Sequence, residues 1–247
     1  MIKNYKIMAN YIESEHISID KKEVLKYLQY KSDVIDEETD RLVDACILEL
    51  KDISELKYVY RIFNISKENI NNKAAVNFED EIIIESQDLT KLFRNCNKIA
   101  LIATTLGLAV ERRIKYYSLS NLSKGIIFDA CADTYIEALC DYVESKIEAL
   151  AKIEGAGITF RYSAGYGDVS ISHQKDLVNS LNAGKLIGLT VSQSSMLIPR
   201  KSVTAFIGFD ETIKTTTSNN STDNSCSTCK LYNDCNYRKE GGKPCDR

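Results

Sequence analysis

The sequence has no run of about 18 or more apolar residues, the length a membrane-crossing helix requires, and its opening stretch MIKNYKIMANYIESEHI is broken by charges. Neither a membrane span nor a secretion signal is expected, and the expected location is the cytoplasm. A basic excess is also missing: 32 Lys and Arg stand against 35 Asp and Glu, a formal net charge of −3. Without a positive field over the whole chain, non-specific nucleic-acid binding is not expected. Tryptophan is absent and proline occurs twice, scarcities that point to no function. What remains is ordinary for one sizeable domain with an appendage: 247 residues, 44% hydrophobic and 27% charged. No internal repeat is visible.

The eight cysteines divide by context. Cys46, Cys96, Cys131 and Cys140 stand singly in helical or mixed stretches, where a reduced thiol behaves as a small apolar residue. The other four crowd into residues 226–247. In a chain without a secretion signal, such crowding points to metal rather than to disulfides.

Along the chain, Asp20 is placed to cap a helix over about 21–30, with Glu23 positioned to answer it. Asp36 opens a second helix with Glu37 and Glu38 in its first turn, where negative charge meets the positive end of the helix dipole. Leu42, Cys46, Leu50 and Ile53 form its apolar stripe. The part up to about residue 57 therefore reads as helical. Strand character rises from Tyr58 to Ile84, a short helix is expected near 88–94, and KIALIATTLGLAVERRIKYY reads as a core strand that turns at Gly107 into a helix.

FDACADTYIEALCDYVESKIEALAK carries the strongest helical period in the sequence, with Ala132, Ile136, Leu139, Val143, Ile147 and Leu150 along one face. Asp133, Glu137 and Asp141 stack at four-residue steps on its flank. Such like-charge pairs cost about a few tenths of a kcal/mol each unless something positive faces them; otherwise the row is a solvated acidic face. After IEGAG, ITFRYS alternates as a strand would and AGYGD bends where glycine permits positive φ. Ser172 then caps a helix ending near Leu181, stopped by Gly184, and two strands follow around Pro199. Alternating helix and strand signals give an α+β layer fold. Residues 212–225, TIKTTTSNNSTDNS, are polar without a core-forming period and read as a flexible linker between a domain over 1–211 and a terminal module over 226–247.

Arg161 is the first candidate functional residue. A guanidinium offers a rigid donor fork that matches a carboxylate with two parallel hydrogen bonds. At a strand end before a glycine turn it can address a ligand; equally, it can pair with a neighbouring helix or with Asp168.

The order of RYSAGYGD, a capped helix, then LTVSQSSMLIPRKSVTAFIGF resembles the activation (reactivation) domain of cobalamin-dependent methionine synthase, in its stand-alone form. That family carries an arginine, three variable residues and Gly-Tyr, matched here by Arg161, Gly165 and Tyr166. Its acidic helix is similar to ADTYIEALCDYVESKI, with Glu137 in the ligand-contacting position. The resemblance spans about 20–210. It implies a helical N-terminal part followed by a mainly antiparallel sheet with helices, and S-adenosylmethionine as ligand. Arg161 would then grip the methionine carboxylate and Glu137 the amino end. Main chain near Ser163 and Gly165 would meet the adenosine, Tyr166 would shape the pocket, and Glu154 is a further acidic candidate for the same wall. The prolines common around the arginine in fused enzymes are absent. Neither His16 nor His173 stands in the Asp-x-His-x-x-Gly pattern of cobalamin modules, so cobalamin would come from a partner.

The terminal module, Cys226-x2-Cys229-x5-Cys235-x9-Cys245, can surround zinc or hold a four-iron four-sulfur cluster, and so short a segment needs such a centre to fold. The leading expectation is an S-adenosylmethionine-binding accessory protein. It would support reductive remethylation of cob(II)alamin in a methionine synthase lacking its own activation domain, with electrons from the cluster or from a flavodoxin-like donor. The implied role is that of an activation subunit in the methyltransferase reaction, with no catalytic acid, base or nucleophile of its own. The alternatives are a reactivation factor for another corrinoid methyltransferase, or a zinc-knuckle interaction protein without a catalytic role.

Overall fold

The structure, a computed structural model, describes residues 7–30, 35–70 and 73–213. Its centre is a seven-stranded sheet in which every pairing is antiparallel, in the order β4-β3-β2-β5-β9-β6. β2 (Leu56–Ile70) is long enough to serve two neighbours on one edge. Its first part pairs with β1 (Met8–Ile12) and its second with β3 (Lys73–Phe78), while the other edge carries β5 (Cys96–Thr105). β4 (Ile82–Glu85) closes one end. β9 (Ser202–Asp210) and the two-residue β6 (Gly157–Ile158) close the other.

Two helical layers cover the sheet. On one face lie α1 (Lys21–Tyr27), α2 (Glu37–Ile53), α4 (Leu108–Ser120) and α5 (Leu122–Ile153); Tyr58, Ile62, Ala100, Ile102, Ala205 and Ile207 point into that core. On the other face, α3 (Gln87–Leu92), α6 (Gln174–Ser180) and α7 (Ala183–Ile187) pack over Val59, Phe63, Ile99, Leu101 and Phe206. Because both faces are covered, β5 and β9 are buried almost continuously. That is why a run such as IALIATT shows no polar-apolar alternation. Tyr135, Phe128, Phe63 and Phe206 are fully enclosed, each worth about 2–3 kcal/mol by the apolar surface removed from water.

The expected α+β architecture is the one found, with local differences. Asp20 caps α1 by accepting from the Lys22 N–H, but Glu23 pairs with Lys26 instead of answering the cap. The helix ends at Tyr27, three residues early, where Gln29 turns to a φ of 62°. Residues 8–12 are a strand within the part read as helical, because β2 offers them an open edge. The strand read over ITFRYS shrinks to β6 and a single bridge between Tyr162 and Phe206. Between them the Thr159 hydroxyl accepts the Gly208 N–H at 2.8 Å, a side chain taking the place of a ladder carbonyl. Ser170, not Ser172, caps the turn before α6. Gly184 lies inside α7; the chain breaks instead at Asn182, whose φ is 51°. β7 (Thr190–Val191) and β8 (Leu197–Ile198) form a small separate hairpin ahead of a cis Ile198–Pro199 bond.

No helix among the described residues is long and apolar enough to cross a membrane. The segment read as a linker, 212–225, is described only as far as residue 213, and the cysteines of 226–247 lie outside the described residues. At its start, Thr212 donates from its N–H and its hydroxyl to Asp210.

Candidate functional site

The site grows from α5. Its 32 residues cross the sheet with one face in the core, and its solvent flank carries Asp129, Asp133, Glu137, Asp141 and Glu144. Two cations from other elements face this row. Lys201, at the entry to β9, lies 2.9 Å from Asp129 and 2.6 Å from Asp133. Arg161 lies 2.7 Å from Asp141, 2.9 Å from Glu144 and 3.2 Å from Glu137. The positive charge that the acidic stack called for is therefore present twice.

Arg161 reaches α5 because alternation persists where the paired strand has ended. Phe160, Tyr162 and Ala164 pack toward the core of α3, α6 and α7, which sends Arg161 to the α5 side. The side chain of Arg161 is only 7% exposed, while those of Glu137 and Asp141 are 48% and 63% exposed. Burial alone would favour loss of the guanidinium proton. The neighbouring Cys140 thiol, Glu144 and Asp141 outweigh it and hold the pKa above the ordinary value. Beneath the guanidinium, the enclosed Cys140 hydrogen-bonds Thr104 at 3.3 Å, its thiol pushed up to about 12 by burial.

The glycine turn is anchored from behind. Asp168 accepts from the Gln87 N–H at 2.7 Å, the more distant Asp88 N–H and the Ser86 hydroxyl, so it caps α3 and does not pair with Arg161. Asp88 in turn accepts from the Asp168 N–H, and Tyr162 donates to the Tyr166 carbonyl at 3.1 Å. Gly165 and Gly167 take φ of 96° and 51°, and a Cβ at Gly167 would collide with the Asp88 carboxylate and the Tyr162 hydroxyl. The left-handed φ and the crowding together favour glycine here. The turn leaves Tyr166 projecting, 45% exposed.

One turn along α5 from Glu137, an open cleft of about 250 Å³ is bounded by Asp133, Lys201, Arg200, Gln174, Ile171 and Met196. Burial raises the Asp133 carboxyl above its ordinary range, with Lys201 pulling against that rise. Gln174 is held at its base by the Thr204 hydroxyl at 2.5 Å. None of Arg161, Glu137, Ser163, Gly165 or Tyr166 lines this cleft. Of these, only Glu137 shares the acidic flank of α5 with the cleft's Asp133.

No known protein family and no curated protein matches this sequence. Structure comparison finds a likeness to a crystal structure of the MetH reactivation domain bound to AdoHcy. It matches with a TM-score of 0.61 at 13% identity, over 97% of this chain and 87% of that one. This chain has the fold of the MetH reactivation domain. At that identity the likeness to the MetH reactivation domain is one of architecture, and the chemistry rests on the side chains described above.

Of the predicted residues, the structure brings Arg161 and Glu137 into direct contact. It moves Glu154 out of the group, to an ion pair with Lys98 at 2.6 Å. Glu144 and Lys201 were missed. Glu144 continues the acidic row three residues past Asp141, a spacing visible in the sequence; Lys201 carried no such signal. Among the described residues no group of His, Cys, Asp and Glu could hold a metal ion. Cys226, Cys229, Cys235 and Cys245 lie outside them.

Proposed function

We propose that this protein binds S-adenosylmethionine and presents it to the corrinoid of a cobalamin-dependent methionine synthase, supporting reductive remethylation of cob(II)alamin. The observation that carries this reading is the buried Arg161 guanidinium in contact with Glu137, beside a glycine turn that exposes backbone, in the fold of a domain crystallised with AdoHcy. Arg161 supplies the fork for the methionine carboxylate and Glu137 a seat for the ammonium. Ser163, Gly165 and Tyr166 border the space for the adenosine. The acidic row suits a ligand that also carries a sulfonium charge, since opposite charges attract more strongly where water is partly excluded.

The corrinoid, on the partner's cobalamin module, supplies the methyl-accepting metal once an electron has been delivered. This chain's residues bind and orient the methyl donor. We further propose that Cys226, Cys229, Cys235 and Cys245 hold a four-iron four-sulfur cluster or zinc. Four thiolates at close spacing are the donor set for either, and a cluster would offer a route for the electron that otherwise comes from a flavodoxin-like donor.

The deciding experiment adds this chain, a reductant and S-adenosylmethionine to cobalt(II)-inactivated methionine synthase lacking its own activation domain. Recovered activity that depends on Arg161 supports the reading; none with the wild-type chain, under conditions where a fused activation domain works, overturns it. Metal analysis with an anaerobic absorption spectrum distinguishes a coloured cluster from colourless zinc.

A further inference from the structure

Arg161 has more carboxylates than one guanidinium needs. Three from a single helix flank meet it, and its Nη1 nitrogen alone serves Asp141 at 2.7 Å and Glu144 at 2.9 Å, while Nη2 reaches Glu137 at 3.2 Å. The local sum is one positive against three negative charges. Stacked at four- and three-residue steps, these carboxylates repel one another. Asp141, with 63% of its side chain exposed, regains most of its hydration on swinging away. Its bond to Arg161 is therefore easily exchanged, whereas the guanidinium itself, 7% exposed, cannot be left without a partner.

We infer that Asp141 and Glu144 form a displaceable latch, occupying the arginine fork in the ligand-free protein and yielding it to the carboxylate of an incoming amino-acid ligand. This inference rests on the proposed S-adenosylmethionine site and adds a specificity rule to it. A ligand carboxylate must displace an internal one in a region of excess negative charge. It is admitted only when its own molecule carries compensating cations, as S-adenosylmethionine does with its ammonium and sulfonium groups. Simple carboxylates are refused. Asp141 and Glu144 thus oppose ligand binding while Glu137, on the same helix flank, promotes it. A merely structural ion-pair network predicts no such difference of sign.

Calorimetric titration of the full chain tests this with two probes: S-adenosylmethionine and its decarboxylated analogue, which keeps both cationic groups and lacks the carboxylate. Asp141→Asn leaves Arg161 two carboxylates, so the fold is retained, and should tighten S-adenosylmethionine binding about fivefold, about 1 kcal/mol. The same substitution should not tighten the analogue, and Glu137→Gln should weaken S-adenosylmethionine. Glu144→Gln, at a more enclosed position, provides an independent second variant with the same expected sign. Wild type failing to bind while Asp141→Asn binds would be the latch in its strongest form. If wild type binds and both latch variants bind equally or more weakly, the latch is wrong and the proposed function stands. Equal tightening of both probes also overturns it, because release of the carboxylate fork would not be the cause. If no variant binds S-adenosylmethionine, the site assignment fails and the latch with it.

Discussion

Two ionic clusters hang on α5, and their charge patterns are opposite. Near its start, Glu49 of α2 is contacted by Arg113 of α4, by Lys124 at 3.0 Å and by the Tyr117 hydroxyl at 2.7 Å. Near its middle, Arg161 is contacted by three carboxylates. The Glu49 cluster joins three helices, and its cations lie over the Tyr117 ring. It is cross-bracing. The Arg161 cluster joins one helix to the segment that enters a glycine turn, two of its three acids are largely exposed, and a cleft opens one turn away. A cluster centred on one acid that is mostly enclosed, with cations from two other helices bridging to it, stabilises the fold. One in which an enclosed cation is oversupplied by exposed acids is arranged for exchange.

The sharpest way to break this comparison is to remove each centre. Arg161→Ala should weaken S-adenosylmethionine binding at least 100-fold, about 2.7 kcal/mol, with calorimetry as the measurement; equal binding by the variant would remove the assigned clamp. Next in size, Gly167→Ala forces a positive φ and a collision with Asp88 and Tyr162. It should cost about 2 kcal/mol in denaturant unfolding and weaken the ligand by loosening the turn, without touching Arg161. Glu49→Gln should lower stability by about 1–2 kcal/mol and leave ligand affinity unchanged, the reverse of Arg161→Ala.

The Glu49 cluster also makes a pH prediction. Burial would raise the Glu49 carboxyl, but Tyr117, Lys124 and Arg113 outweigh it, so its folded-state pKa lies below the ordinary 4.5. A carboxyl depressed on folding contributes stability that is complete above the unfolded value and is lost as pH falls through the folded one. Unfolding free energy measured from pH 6 downward should therefore decline below about pH 4.5, and Glu49→Gln should flatten that decline. The smallest effect concerns the thiols. Cys46 is pushed up to about 11, and Cys96, Cys131 and Cys140 to about 12, each first by burial. Peptide mass spectrometry after alkylation of the native protein should find these four unmodified, and rapid labelling of Cys140 would show that the floor beneath Arg161 is open.

Much of this was legible in advance because it is local. The period of α5, the caps at Asp20 and Asp36, the buried strand over β5 and the glycine turn after Arg161 each depend on residues within a few positions of one another. Pairings set by distant segments were not. Asp168 sits seven residues from Arg161 yet binds the start of α3; Glu154 faces β5; and the strand over ITFRYS is cut short by a hydroxyl whose partner lies in β9.

By itself, then, the sequence determined that a long amphipathic helix would carry a row of acids, and that a rigid cationic fork would stand before a turn that glycine favours. Helical period, side-chain chemistry and backbone sterics are properties of short segments. Which acids meet which cation was decided by the sheet, which brings residue 161 across from 137, 141 and 144 and residue 201 across from 129 and 133. Such contacts between remote segments form only once both faces of the sheet are covered, because the burial of apolar surface that drives packing carries no information about charge until the chain is folded.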